Sequence, residues 1–292
     1  MPHWTTADIP DQTGRTCVVT GANSGLGEVI ATELARAGAT VIVACRDEAK
    51  GEAAVKAMPG KTEVRRLDLA DLASVRQFAE GIGEIDLLVN NAGVMAVPLG
   101  RTKDGFELQI GTNHLGHFAL TGLLLDRIAD RVVTISSGAH QMGRIDLGDL
   151  NWEHRPYKRW AAYGQSKLAN LLFTYELQRR LSAVSSKREA LAAHPGYAST
   201  NLQSHTESFQ DQVMAFANRF IAQSAAMGAL PALYAATVRS VPGGSYVGPD
   251  GLFEQRGYPK VVTSNKRSYD EATAAALWDL SEKLTGVTYS FS

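Results

Sequence analysis

Residues 15–38 read RTCVVTGANSGLGEVIATELARAG. The first six are a short β-branched run, and Gly21, Gly25 and Gly27 crowd into the seven residues that follow. Val29, Ile30, Leu34 and Ala37 then recur at helical spacing. Strand, glycine turn and helix therefore follow one another directly. Gly21 suits the tight turn, Gly25 lets a ligand approach the backbone, and Gly27 lets helix and strand pack closely. The free N–H groups and dipole at the mouth of such a helix favour an anion.

The same cycle repeats outward. TVIVAC (40–45) precedes DEAKGEAAVKAM, TEVRRLDL (62–69) precedes DLASVRQFAEGI, and IDLLVN (85–90) precedes a long apolar-periodic stretch from about Lys103 to Ile128. RVVTISS (131–137) comes before the helix carrying Tyr163, a sixth strand EALAAH ends at Pro195-Gly196, and a seventh, GSYVG, lies near residue 246. Continuous apolar strands alternating with amphipathic helices imply a parallel sheet covered on both faces, because crossovers are right-handed. The expected fold is α/β: one doubly wound parallel sheet of about seven strands, in a single domain spanning 1–292. Residues 197–224 are polar and irregular, with STNLQSHTES followed by the amphipathic FQDQVMAFANRFIAQ, and read as a lid.

Composition narrows the function classes. Of 292 residues 45% are hydrophobic, enough for a sizeable core, and 29 Lys plus Arg balance 30 Asp plus Glu. Neither nucleic acid nor an anionic membrane is the expected partner. Cys17 and Cys45 sit in apolar runs outside any metal-ligand spacing, and read as small buried hydrophobes in a reducing compartment. His114 and His117 are three apart on a helix, but no further ligand completes a metal site, so none is expected. The N-terminus lacks the regions of a signal peptide, and HFALTGLLLDRI is too short and too polar to cross a bilayer. A cytoplasmic protein without membrane attachment is the expectation.

Five motifs stand in register: TGANSGLG (20–27), NNAG (90–93), SS (136–137), YGQSK (163–167) and HPG (194–196). In their order and intervals the chain resembles the short-chain dehydrogenase/reductase family from about residue 14 to 200. VACRD, TNHLGHF and AYGQSKLANLLF resemble its retinol-dehydrogenase-like branch. The resemblance implies a nicotinamide dinucleotide fold of the Rossmann type. It assigns Gly21, Asn23, Ser24, Gly25, Leu26 and Gly27 to the pyrophosphate turn, Asp68 and Leu69 to adenine, and Asn91, Ala92 and Gly93 to the ribose. Pro195, Gly196 and Thr200 belong to the segment holding the nicotinamide carboxamide. The family often pairs the Tyr163 helix with its symmetry mate, so a homodimer or homotetramer is expected.

The end of the second strand, where the adenosine ribose lies, discriminates between cofactors. A carboxylate there would select NAD; this chain has Cys45 followed by Arg46, whose guanidinium suits a 2′-phosphate. Asp47 reads instead as the cap of the next helix. The expected cofactor is NADP rather than NAD.

Tyr163 and Lys167, one helical turn apart, leave the same helix face. Taken alone the pair reads as ordinary packing; with the other motifs it reads as catalytic. Transfer of hydride to a carbonyl leaves a developing alkoxide, so a proton donor and an oriented hydrogen bond are needed at that oxygen. Tyr163 supplies the proton and the Lys167 ammonium favours its phenolate while reaching the nicotinamide ribose. By resemblance Ser137, rather than Ser136, polarises the substrate oxygen, and Asn113 holds a relay water connecting Lys167 to solvent. His194 has no assigned role.

The expected activity is NADP(H)-dependent interconversion of a carbonyl and an alcohol on a small to medium, fairly apolar substrate. Phe209, Val213, Met214 and Phe216 either roof its pocket or make a helix or subunit contact. The retinol-dehydrogenase-like branch often carries a membrane segment, and its absence here argues against assuming a retinoid. The alternative is a catalytically silent NADP(H)-binding sensor or scaffold.

Overall fold

The computed structural model describes residues 3–196 and 224–291. Its strands are β1 (Thr16–Thr20), β2 (Thr40–Cys45), β3 (Lys61–Arg66), β4 (Ile85–Asn90), β5 (Ile128–Ile135), β6 (Glu189–Ala193), β7 (Tyr246–Pro249) and β8 (Pro259–Val262). They form one sheet in the order β3-β2-β1-β4-β5-β6-β7-β8. Every pairing is parallel except β7 with β8.

The helices are α1 (Gly25–Arg36), α2 (Glu48–Val55), α3 (Leu72–Glu80), α4 (Gly116–Leu124), α5 (Arg159–Ala183), α6 (Ala225–Thr237) and α7 (Glu271–Thr285). The two-residue alternation of β1 shows how they are distributed. Cys17 and Val19 join the cluster under α1 and α6, while Val18 joins the cluster formed by α3, α4 and α5. All three are fully buried, as a sheet covered on both faces requires. The α7 helix packs outside α5. Trp278 stacks on Phe173 and meets Phe118 edge-on, Tyr289 packs at an angle on Phe118, and α5 is buried on nearly every side from Ala162 to Leu177 because it lies between layers.

The doubly wound sheet follows the sequence expectation, with eight strands instead of about seven. The additional strand, Pro259–Val262, opens on a proline and has a largely exposed face. Both features fit an antiparallel edge strand, where the missing proline N–H does no harm. A helix expected over 103–128 is instead broken into Leu108–Ile110, a π-helical turn at Gly111–Leu115, α4 and a 3-10 turn at Leu125–Arg127. The lid at 197–224, with Thr200 and the apolar residues from Phe209 to Phe216, lies outside the described residues except for Ser224.

Candidate active site

Strand order reverses between β1 and β4, since β1 turns toward β2 and β4 toward β5. Crossovers on either side of that point leave on opposite faces and open a crevice beyond the carboxyl ends of the strands. A cavity of about 1450 Å³ fills it. Gly21, Asn23, Ser24, Gly25, Leu26, Gly27, Arg46, Asp68, Leu69, Asn91, Ala92 and Gly93 line its walls, together with Ser137, Tyr163, Lys167, Pro195 and Gly196. Asn113 lies behind the wall and Thr200 outside the described residues.

The glycine turn is held by close backbone approach. Gly21 and Gly25 take left-handed φ values of 66° and 59°. A Cβ on Gly27 would stand 2.4 Å from Asn91 Nδ2 and 2.5 Å from the Gly21 carbonyl oxygen. The turn is therefore pressed against the loop after β4, and the Asn91 Nδ2 donates to the Thr20 carbonyl at 2.8 Å. Ser24 occupies the N-cap of α1 but its side chain makes no capping bond. The first N–H groups of a twelve-residue helix are thus left facing the cavity, a donor set that fits a pyrophosphate.

At the end of β2, Asp47 caps α2 by accepting from Lys50 N at 3.1 Å and pairs with the Lys50 ammonium at 3.6 Å. Arg46, Asp47 and Lys50 all stand exposed on the cavity wall, with the Asp47 carboxylate turned to the mouth of α2 and to Lys50. After β3, Asp71 is the cap of α3, and Asp68 accepts from Ala70 N at 3.0 Å at the edge of the cavity. Thr112 also lines this region with a hydroxyl that has no hydrogen-bond partner. Nothing in its sequence surroundings marked it.

At the opposite end, Tyr163 and Lys167 are 6% and 4% exposed, with the ammonium 5.7 Å from the tyrosine ring centre. Lys167 Nζ donates to the Ile135 carbonyl at 3.0 Å, and Asn170 Nδ2 donates to the same oxygen at 3.0 Å. Burial pushes the Tyr163 phenol up to about 12, opposed by its hydrogen bond with Ser137. Burial also pulls the Lys167 ammonium down to about 8. The two serines are separated by their bonds. Ser136 Oγ donates to the Lys167 carbonyl at 2.8 Å and serves the helix backbone, whereas Ser137 Oγ accepts from Ala139 N at 3.2 Å beside Tyr163. Its proton is free of that bond.

The Asn113 side chain is used entirely within the protein. Its Oδ1 accepts from Val94 N at 2.8 Å, and its Nδ2 donates to the Val94 carbonyl and to Ser166 Oγ, each at 2.9 Å. These bonds tie the π-helical turn to the loop after β4 and to α5. His117, which the sequence offers only as half of an incomplete metal pair, and Thr20, to which it assigns no role, complete the connection: Thr20 Oγ1 lies 2.8 Å from His117 Nε2, and His117 Nδ1 lies 3.1 Å from the Asn113 carbonyl. His114 faces the other way, 3.0 Å from Ser281 Oγ. Both rings are buried, which drives their pKa values down to about 4 for His117 and about 3 for His114. Burial likewise raises Cys17 to about 12 and Cys45 to about 11, so both thiols stay protonated at neutral pH.

A dinucleotide crevice ending in a buried Tyr and Lys on one helix defines the class. The family profile described as short chain dehydrogenase matches residues 15–211, and the chain belongs to the short-chain dehydrogenase/reductase family. It is an oxidoreductase fold for carbonyl and alcohol chemistry. Among individual relatives, retinol dehydrogenase 13 of Homo sapiens is 43% identical over 298 residues, covering 96% of this chain and 86% of that protein. Retinol dehydrogenase 12 of Homo sapiens is 40% identical over 291 residues, covering 94% and 88%. A crystal structure of an uncharacterized protein from Mycobacterium Paratuberculosis is 56% identical, with a TM-score of 0.88, covering 99% of this chain and all of that one. Among the described residues no helix is long and apolar enough to cross a membrane.

Proposed function

We propose that this chain is an NADP(H)-dependent oxidoreductase interconverting a carbonyl and an alcohol on a fairly apolar substrate. The observation that carries the reading is that one cavity joins the uncapped glycine turn to Ser137, Tyr163 and Lys167. Uncapped N–H groups suit the pyrophosphate, and the exposed guanidinium of Arg46, next to an Asp47 that caps α2 and pairs with Lys50, suits a 2′-phosphate. NADP(H) is therefore the cofactor of this proposal, in a cytoplasmic enzyme with residues 14–200 as its nucleotide-binding and catalytic core.

The nicotinamide, when bound, exchanges a hydride with the substrate carbon. In the reductive direction Ser137 donates a hydrogen bond to the carbonyl oxygen, and Tyr163 gives its phenolic proton to that oxygen as it becomes an alcohol. Lys167 stabilises the phenolate left behind, and Asn113 fixes the turn against which α5 packs. In the oxidative direction the phenolate accepts the alcohol proton.

Tyr163→Phe tests the assignment. Turnover of octanal with NADPH should fall by at least about 1000-fold, in the range expected for general acid–base catalysis. NADPH binding, followed by nicotinamide fluorescence, should change by less than about threefold. Undiminished turnover would refute Tyr163 as the acid. Absence of turnover in the native chain across aldehydes, ketones, quinones and steroids would favour the silent sensor.

A further inference from the structure

The connection between β7 and β8 is closed at its base by Asp250 N donating to the Tyr258 carbonyl at 2.8 Å and Gly251 N to the Arg256 carbonyl at 3.0 Å. At its tip Phe253 and Glu254 both adopt left-handed backbone, with φ of 52° and 55°. Two consecutive residues bearing a Cβ rarely share that region, and such geometry persists only where its surroundings enforce it. The Phe253 side chain is 81% exposed, yet it lines the same cavity as Ser137 and Tyr163.

Two contacts enforce the loop. His194, at the end of β6, is 3% exposed, and its Nε2 lies 3.2 Å from Glu254 Oε2. Its Nδ1 accepts from Gly196 N at 3.3 Å, which leaves Nε2, buried and without a hydrogen bond of its own, as the nitrogen that faces the carboxylate. The ring also packs on Tyr246 with centroids 4.9 Å apart. Gly196 supplies the second contact. Its φ is 66°, and a Cβ there would stand 2.4 Å from the Gln255 carbonyl oxygen. The loop backbone therefore rests directly on the chain leaving β6. An aromatic side chain held in strained backbone over the Tyr163 end of a crevice is presented to something other than water.

We propose that Phe253 is a specificity-determining residue whose ring contacts the hydrocarbon part of the substrate beside the carbonyl, with His194 and Glu254 as the positioning pair that holds it there. The inference rests on the carbonyl oxidoreductase reading above. It selects substrates carrying an apolar chain or ring next to the carbonyl over small polar ones.

Calorimetric titration of the NADP⁺-loaded full chain with octanamide, an unreactive analogue of an eight-carbon aldehyde, tests it. Acetamide is the short control. Phe253→Ala should weaken octanamide binding by about tenfold, as the loss of roughly half a ring of apolar contact predicts. Phe253→Leu should restore most of it, and NADP⁺ affinity should stay within twofold in both variants. Glu254→Ala should weaken octanamide by several-fold through release of the loop, with Glu254→Gln closer to the native chain. Octanamide binding unchanged in Phe253→Ala, or undetectable in the native chain, would overturn the proposal. Octanal turnover separates the two readings. Native turnover with unchanged octanamide affinity in Phe253→Ala removes the specificity role and leaves the enzyme, whereas tenfold weaker octanamide binding in a chain without turnover supports the subsite and removes the reductase.

Discussion

Replacing Lys167 with Met keeps the length of the side chain and removes its charge. The ammonium lies 5.7 Å from the centre of the Tyr163 ring. With the ring centre standing for the delocalised phenolate charge, an effective dielectric constant of ~20 makes a unit charge at that separation worth about 3 kcal/mol to the phenolate, equivalent to about two pKa units. Burial works against it, pushing Tyr163 up to about 12 and Lys167 down to about 8. The phenolate is the base for alcohol oxidation, so the oxidative rate rises with pH through the apparent pKa of the tyrosine. A positive neighbour moves that inflection to lower pH. Its contribution is complete below about 8 and fades as the lysine deprotonates, although the pair titrates as a coupled unit. In Lys167→Met the inflection should move up by about two units and oxidative kcat at pH 7 should fall about 100-fold. Initial rates of 1-octanol oxidation with saturating NADP⁺, from about pH 6 to pH 10.5, read this as a native rate that begins to level off toward the upper end and a Lys167→Met rate that keeps rising about tenfold per pH unit throughout. An inflection displaced by less than half a unit would refute the electrostatic role, whatever happened to the KM for the dinucleotide.

Gly27→Ala places a methyl 2.4 Å from Asn91 Nδ2 and 2.5 Å from the Gly21 carbonyl oxygen, one of them immobile backbone. Urea unfolding should show a loss of about 1–3 kcal/mol together with weaker NADPH binding, and a change below ~0.5 kcal/mol would show that the turn is not packed as described. Arg46→Ala should raise the KM for NADPH by tenfold or more and leave that for NADH within about twofold, reflecting the loss of a phosphate partner; equal effects would remove the 2′-phosphate assignment. His114 and His117 are buried as neutral rings with pKa values near 3 and 4, below the ordinary 6.5. The unfolded chain therefore binds more protons below that ordinary value, and their contribution is complete above it and lost as pH falls. Unfolding free energy should drop by about 4 kcal/mol between pH 7 and pH 5, about 2 kcal/mol from each ring; a drop of only about 2 kcal/mol would mean that one ring is charged in the fold, and a flat urea profile that neither is held neutral.

The features legible in the sequence are those whose physics is local. TCVVTGANSGLG carries its strand, turn and helix mouth in consecutive residues, and Tyr163 and Lys167 share a helix face by spacing alone. Asp47 is readable as a cap because a cap is defined by the residues immediately following it. Long-range partners were not readable. Glu254 meets His194 only because β7 pairs with β6 and returns as β8. The short, proline-initiated Pro259–Val262 has no periodicity of its own and becomes a strand by pairing with β7. The π-helical turn was hidden for the same reason: Asn113 departs from regular helix where it binds both the N–H and carbonyl of Val94, on a different element.

That turn and the dinucleotide crevice are one unit, and the link is the protonation state of a single ring. Thr20 Oγ1 accepts from Asn91 N and Ala92 N, each at 2.9 Å. Its one proton then goes to the shorter of two acceptors, His117 Nε2 at 2.8 Å over the Val89 carbonyl at 3.4 Å. With Nε2 accepting, Nδ1 carries the ring proton and donates to the Asn113 carbonyl. A cationic ring would present a second donor to Thr20 and break the chain at its first bond, and burial prevents that charge from forming near neutral pH. The bonds thus run in one direction, from the loop lining the crevice through Thr20 and His117 to Asn113, whose amide holds Val94 and Ser166 beside Lys167. The loop lining the crevice is thereby tied by continuous hydrogen bonds to the helix that carries Tyr163, and those bonds satisfy the two histidines and the asparagine buried in the segment Thr112–Phe118.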